Sequence, residues 1–176
     1  GSVTITYTDA NNCSATQTIT VNATPTVSAG SNTAICAGDQ ITLSGSGASS
    51  YTWDNGVTNG TAFTPSTTAN YTVTGTDANG CSNTNTVTVT VRSLPSVSAG
   101  LDQTVCSGIG VTLSGSGASS YSWNNGVSNG VEFNPTVTKT YTVTGTDANG
   151  CVNTDDVEVT VLSLPSISGA TDVCIG

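Results

Sequence analysis

The residues here whose type and spacing suggest chemistry are six cysteines: Cys13, Cys36, Cys81, Cys106, Cys151 and Cys174. Cys36 and Cys106 lie 70 residues apart, as do Cys81 and Cys151. There is no His and no C-x-x-C pair. A thiolate metal site needs closely spaced ligand pairs or His partners, so no metal ligand is assigned. Single cysteines at a regular period read as a disulfide framework, which places the chain outside the reducing cytoplasm.

Other side chains offer less. Asp77 and Asp147, with Asn79 and Asn149, recur in a D-A-N-G turn. Calcium takes six to eight oxygens, usually including several carboxylates. Only one carboxylate recurs in each turn, so the expected role is an Asx-type turn. No cofactor is expected, and Ca²⁺ at this turn is the candidate to test. Asp155 and Asp156 are adjacent, which on a strand points them to opposite faces. They are not a catalytic pair, and without His no nucleophile–base pair can be assembled. Lys139 has Ala69 at the matching position, which removes a Lys–Asn crosslink as a general device. No catalytic residue is assigned and the chain is not read as an enzyme. Trp53 and Trp123 could stack sugars, but each follows a Tyr by two residues on one strand face and is expected in a core. Tyr71 and Tyr141 are expected to bond back to the backbone as corner tyrosines. Asn12, Asn22, Asn59 and Asn70 form N-x-S/T sequons that a Thr- and Asn-rich chain produces by chance.

Composition narrows the field. Charged residues make up 7% of the 176, with a net charge of −9 and only Arg92 and Lys139 as bases. Two isolated bases cannot neutralise a phosphate backbone or hold an anionic membrane, so neither is a partner. No apolar run approaches a membrane span.

The elements that place these residues are strands. YTVTGTDANGC occurs identically at residues 71–81 and 141–151, with a worn copy, VTITYTDANNC, at 3–13. Alternating Val/Tyr and Thr is half-buried strand, and D-A-N-G is turn chemistry. Residues 25–94 align with 95–164 without a gap, and 45 of the 70 positions are identical. Such a period marks a tandem array. The first repeat predicts seven strands: a split first strand at 26–29 and 33–36, then 40–44, 50–54, 61–64, 70–77 and 82–91. Asn55-Gly56 and Asn59-Gly60 are turns. Seven short strands with a Trp on the third fit an all-β, immunoglobulin-like sandwich in tandem. The expected organisation is a C-terminal hairpin of a preceding repeat (1–24), two repeats (25–94 and 95–164) and the first strand of a following one (165–176). The expectation is a slice of a longer array, or ends that complete a neighbouring molecule by strand addition.

The pattern PxVSAG…C.G…ITLSGSG…YTWDNG…YTVTGTDANGC…VTVTV resembles the PKD-like and immunoglobulin-like repeats of large cell-surface adhesins of Bacteroidota. Those include the gliding-motility adhesins and other proteins exported by the type IX system. The likeness covers essentially the whole chain, and it implies a secreted or surface-anchored stalk.

Strand geometry leaves three cysteine pairings. Cys36 and Cys81 fall at opposite ends of one sandwich, about 23 Å apart along a seven-residue strand. A disulfide tolerates about 7 Å between Cα atoms. A staple from one domain to the next, Cys36–Cys151, is favoured. The alternatives are Cys36–Cys81 within a domain, or Cys13–Cys36, Cys81–Cys106 and Cys151–Cys174 across linkers.

The reading is a structural segment of an extracellular stalk or filament, giving reach, stiffness and durability. Its partners are neighbouring repeats, or copies of itself in a filament. The alternative is an adhesive module that binds a glycan or surface ligand. GSGASSY recurs unchanged at 45–51 and 115–121, which favours a spacer over a reader.

Overall fold

The computed structural model describes residues 1–166. These residues contain strands, turns and bends and no helix. By contacts the chain divides between Arg92 and Ser93 into two units.

The first unit opens with a hairpin, β1 (Ser2–Thr8) against β2 (Ser14–Thr20). It continues with β3 (Thr33–Cys36), β4 (Ile41–Thr42), β5 (Ser50–Trp53), β6 (Ala62–Phe63), β7 (Ala69–Thr76) and β8 (Ser82–Arg92). A four-stranded sheet runs β3-β8-β7-β5, and β4 pairs with β6 in a second sheet. All pairings are antiparallel except β3 on β8, where Thr33 faces Val89 and Cys36 faces Arg92. The second unit repeats this arrangement with β9 (Gln103–Cys106), β10 (Val111–Thr112), β11 (Ser120–Trp123), β12 (Glu132–Phe133), β13 (Lys139–Thr146) and β14 (Val152–Leu162). Both units carry the immunoglobulin-like β-sandwich plan.

The Val/Thr alternation explains the layering. In β7, Tyr71, Val73 and Gly75 are buried while Thr72, Thr74 and Thr76 stay partly exposed. Val87 and Val89 of β8 join them, and Val27, Ala29 and Leu43 close the core from the other side. Ile41, Trp53 and Phe63 pack around this cluster. The second core has the same plan, built on Leu113, Trp123, Val143, Val157 and Val159.

The first strand is split, as its sequence suggests. Ser28 bridges Ser46 on the small-sheet side, whereas Thr33–Cys36 pairs with β8 of the large sheet. The change of sheet follows Gly30, whose φ of 85° favours glycine. Asn55 and Gly56, at φ 53° and 73°, form the turn that their dipeptide predicts.

The hairpin differs from its counterparts in one respect. Val3 and Ile5 occupy the places that Tyr71 and Val73 hold in the sandwich, yet each is 52% exposed where Val73 is 0%. Ile19 and Val21, which match Val87 and Val89, are exposed too. The sequence encodes a core face there, and the described residues put no second sheet on it.

Candidate functional site

The cysteines sit at the two ends of each sandwich. Cys81 immediately precedes β8 and closes the turn that starts at Asp77. Cys36 pairs with Arg92, the last residue of β8. Eleven residue steps along β8 separate the two positions, which is roughly 36 Å. A disulfide between Cys36 and Cys81 within this sandwich is therefore excluded by distance. Cys106 and Cys151 stand in the same relation, with Cys106 paired to Leu162 and Cys151 just before Val152.

Thiol states divide the set. Cys36 and Cys151 are disulfide-bonded, whereas Cys13, Cys81 and Cys106 are free. The across-linker pairs Cys13–Cys36 and Cys81–Cys106 are therefore not formed. Cys174, and with it the Cys151–Cys174 alternative, lies outside the described residues. Cys151 is fully buried, Cys36 and Cys81 are partly buried, and Cys13 and Cys106 are exposed.

One turn presents each hairpin cysteine. Asp77 Oδ1 accepts the N–H groups of Asn79 and Cys81, both at 2.9 Å. Asp77 N–H donates to the Cys81 carbonyl, and Gly80 N–H to the Asp77 carbonyl. Asp147 Oδ1 does the same for Asn149 and Cys151, at 2.8 and 2.9 Å. Asp9 Oδ1 does so for Asn11 and Cys13, at 2.9 and 2.8 Å. The recurring carboxylate is thus engaged in holding the turn. Among the described residues no cluster of three or more Asp, Glu, Cys or His side chains surrounds a metal-sized space.

The aromatic residues serve the cores. Trp123 is buried and Trp53 half-buried, and each indole N–H donates to an Asn carbonyl oxygen, of Asn129 and Asn59 respectively. Asn59 Oδ1 also accepts the Gly45 N–H at 2.7 Å, which ties the tryptophan to the G-S-G-A-S-S loop. The corner role expected of Tyr71 and Tyr141 falls elsewhere. Their rings pack on Phe63 and Phe133, with centroids 5.3 and 5.1 Å apart. The hydroxyls that bond back to the backbone belong to Tyr51 and Tyr121. Each donates to the carbonyl of Ala48 or Ala118 and accepts the N–H of the same residue, all at 2.6 Å. The reason is local: a Tyr three residues after the loop alanine reaches back over it, whereas Tyr71 points between the sheets.

The unchanged loop now has a packing explanation. A Cβ on Gly45 would lie 2.6 Å from Tyr51 Cδ1 and 2.9 Å from Val73 Cγ2. One on Gly47 would overlap the Thr26 carbonyl oxygen. Small residues are required there whether or not anything binds.

Sequence reasoning missed the side chains that anchor the first strand. Asn85 Oδ1 accepts the Ala29 N–H, Asn32 Oδ1 accepts the Thr88 N–H, and Asn83 Nδ2 donates to the Pro25 carbonyl. In the second unit Asp155, Asp102 and Asn153 make the matching bonds to Ala99, Glu158 and Pro95. The signal was present: an Asn-to-Asp exchange between matching positions retains an acceptor oxygen and drops the amide. Asp155, considered above for catalysis, is such an anchor.

A groove of ≈ 440 Å³ in the first unit is lined by Ala29, Gly30, Ser31, Thr33, Ile41, Thr42, Leu43 and Ser44. It contains no ionisable side chain. Three of its positions differ in the second unit, where Leu101, Gln103 and Val111 replace Ser31, Thr33 and Ile41.

No protein-family model matches the chain, and no curated protein matches it in sequence. Several solved structures are similar in fold. A titin fragment is 16% identical over 78% of this chain and 98% of its own, with a TM-score of 0.33. The insect immune protein hemolin is 17% identical over 78% of this chain and 47% of its own, with a TM-score of 0.39. An adhesin that helps an Antarctic bacterium bind ice, described as Ca²⁺-stabilised, is 18% identical over 94% of this chain and 57% of its own, with a TM-score of 0.42. These neighbours are immunoglobulin-like adhesion and structural proteins rather than enzymes. At such low scores they add nothing beyond the fold already described. No helix among the described residues is long and apolar enough to cross a membrane.

Proposed function

We propose that this chain is a structural segment of an extracellular stalk or filament, built from repeats spanning 25–94 and 95–164. In that reading it is a PKD-like array of the Bacteroidota surface-adhesin type, exported to the cell surface, and Cys36 is bonded to Cys151. The observation that carries it is the cysteine arrangement. Cys36 ends the first sheet beside Arg92, Cys151 closes the hairpin turn of the second unit, and these two are in disulfide form while Cys13, Cys81 and Cys106 are free. Such a bond locks two marginal small sandwiches into one durable piece.

Peptide mapping of unreduced protein tests the pairing. A linked peptide pair containing Cys36 and Cys151 is expected. Any other partner for Cys36 would refute the staple. Electron microscopy of unreduced native material tests the wider reading: fibres or beaded strings are expected, and compact isolated particles would count against it.

A second reading, an adhesive module that binds a glycan, draws support from the groove at Thr33 and Ile41, whose lining varies between repeats. Glycan-array binding that is lost on Thr33→Gln with Ile41→Val, which copies the second unit's residues, would favour it over a spacer.

A further inference from the structure

Leu101 is 89% exposed, more than any other large apolar side chain among the described residues. The fold does not require a leucine there, since Ser31 stands at the matching place in the first unit. Nor does Leu101 sit on a loose tip. Gly100 turns the chain just before it, at φ 87°. The Ala99 N–H donates to Asp155 Oδ2, and Asp102 Oδ1 accepts the Glu158 N–H, both at 2.8 Å. A leucine pinned on either side has little backbone freedom left to lose on docking, so its burial is spent on binding. The first unit supplies a hole for it. The groove of ≈ 440 Å³ there is lined by buried Leu43 and half-buried Ile41 and carries no ionisable group. The second unit offers less at the matching place. Val111 replaces Ile41 and is only 3% exposed, and the longer Gln103 replaces Thr33. Knob and hole thus fall on different units, although the two units share one plan.

We propose that Leu101 of one copy of this chain seats against Ile41 and Leu43 in the groove of a second copy. The inference deepens the filament reading proposed above and rests on it. The contact is heterologous, so a copy whose knob is engaged still offers its groove to another. Association therefore does not stop at a dimer, and the second unit of each copy lies beside the first unit of the next. A net charge of −9 opposes contact between copies, and an uncharged groove is where that opposition is least. One leucine makes a weak link, and an array of repeats multiplies it.

The test is sedimentation velocity of the full chain, its free thiols capped with iodoacetamide, at concentrations up to about 1 mM. The average mass of wild type should climb with concentration past that of a dimer. Leu101→Ser, which copies Ser31, should weaken association roughly 10- to 100-fold, the worth of one buried leucine. Thr33→Gln with Ile41→Val, which gives the groove the second unit's lining, should weaken it to a similar degree. Both variants use residues that the fold already carries at matching positions, and urea unfolding checks that each is folded. A mixture of the two should give dimers and nothing longer, because one supplies only the groove and the other only the knob. A wild type that stays monomeric, association that stops at a dimer, Leu101→Ser that associates like wild type, or a mixture without dimers would each overturn the proposal. So would a glycan bound in the groove of a monomeric wild type, which returns the site to the second reading. Peptide mapping of the same samples reports the Cys36–Cys151 pair. A monomeric wild type with that pair intact would sink the contact between copies and leave the stalk standing.

Discussion

Replacing Gly47 by Ala should destabilise the first unit far more than a comparable change at Gly80, although both glycines have positive φ. Gly47 has φ 90° and Gly80 φ 83°, so the left-handed backbone costs each alanine about 1–2 kcal/mol. The surroundings differ. Around Gly80 nothing lies within 4 Å of an added Cβ, whereas at Gly47 the Cβ would overlap the Thr26 carbonyl oxygen. Relief requires the 26–29 segment to move away. That breaks the reciprocal Ser28–Ser46 hydrogen bonds of 2.9 and 3.0 Å. Each is worth about 1 kcal/mol net, so the total for Gly47→Ala is about 3–4 kcal/mol. A sandwich of this size has only about 4–10 kcal/mol to lose. Urea-dependent hydrogen exchange read by mass spectrometry resolves the two units in one chain, with the second as an internal reference. Peptides of the first unit should lose about 3–4 kcal/mol in Gly47→Ala and about 1–2 kcal/mol in Gly80→Ala. Equal losses in the two variants would refute the reasoning from the Thr26 overlap.

Four further outcomes can be checked on the same protein. Tyr51→Phe and Tyr121→Phe each remove a hydroxyl with two backbone partners, and each should cost about 1–3 kcal/mol in urea unfolding. Their effects should add in the double variant, because the sites share no partner. Leu113→Ala removes a side chain that is 1% exposed and should cost about 3–5 kcal/mol by the same assay. Asp77→Ala should cost about 1–2 kcal/mol, with Asn at this position retaining part of the turn, since Asp77 Oδ1 serves two N–H groups. A calcium chelator should leave the melting temperature of the wild type unchanged; a drop would assign the Asp77 and Asp147 turns to the metal.

Much of the sandwich was legible before any coordinates. The expected strands at 33–36, 50–54, 70–77 and 82–91 each appear within a residue of their bounds. The shortest ones shrank most, 40–44 to Ile41–Thr42 and 61–64 to Ala62–Phe63. Residues 26–29 kept only the Ser28 bridge. Short edge segments make few ladder bonds, so their extent depends on the partner as much as on their own pattern.

What the sequence determined by itself is what depends on near neighbours. The period of two in Tyr71-Thr72-Val73-Thr74 sets a buried face. Asn55-Gly56 and the Asp77 turn follow from φ preferences and a side chain two residues from its partner. The 70-residue period established that the second unit repeats the strand pattern of the first. Only the tertiary structure decided the pairings across long separations. It placed Ser28 on Ser46 but Thr33 on Val89, and gave the first strand its anchors at Asn83 and Asn85. It also made Cys36 and Cys151 disulfide-bonded while their counterparts are free thiols. These choices rest on contacts between residues tens of positions apart, where a repeated sequence offers several equivalent partners. Only distance in the folded chain separates them.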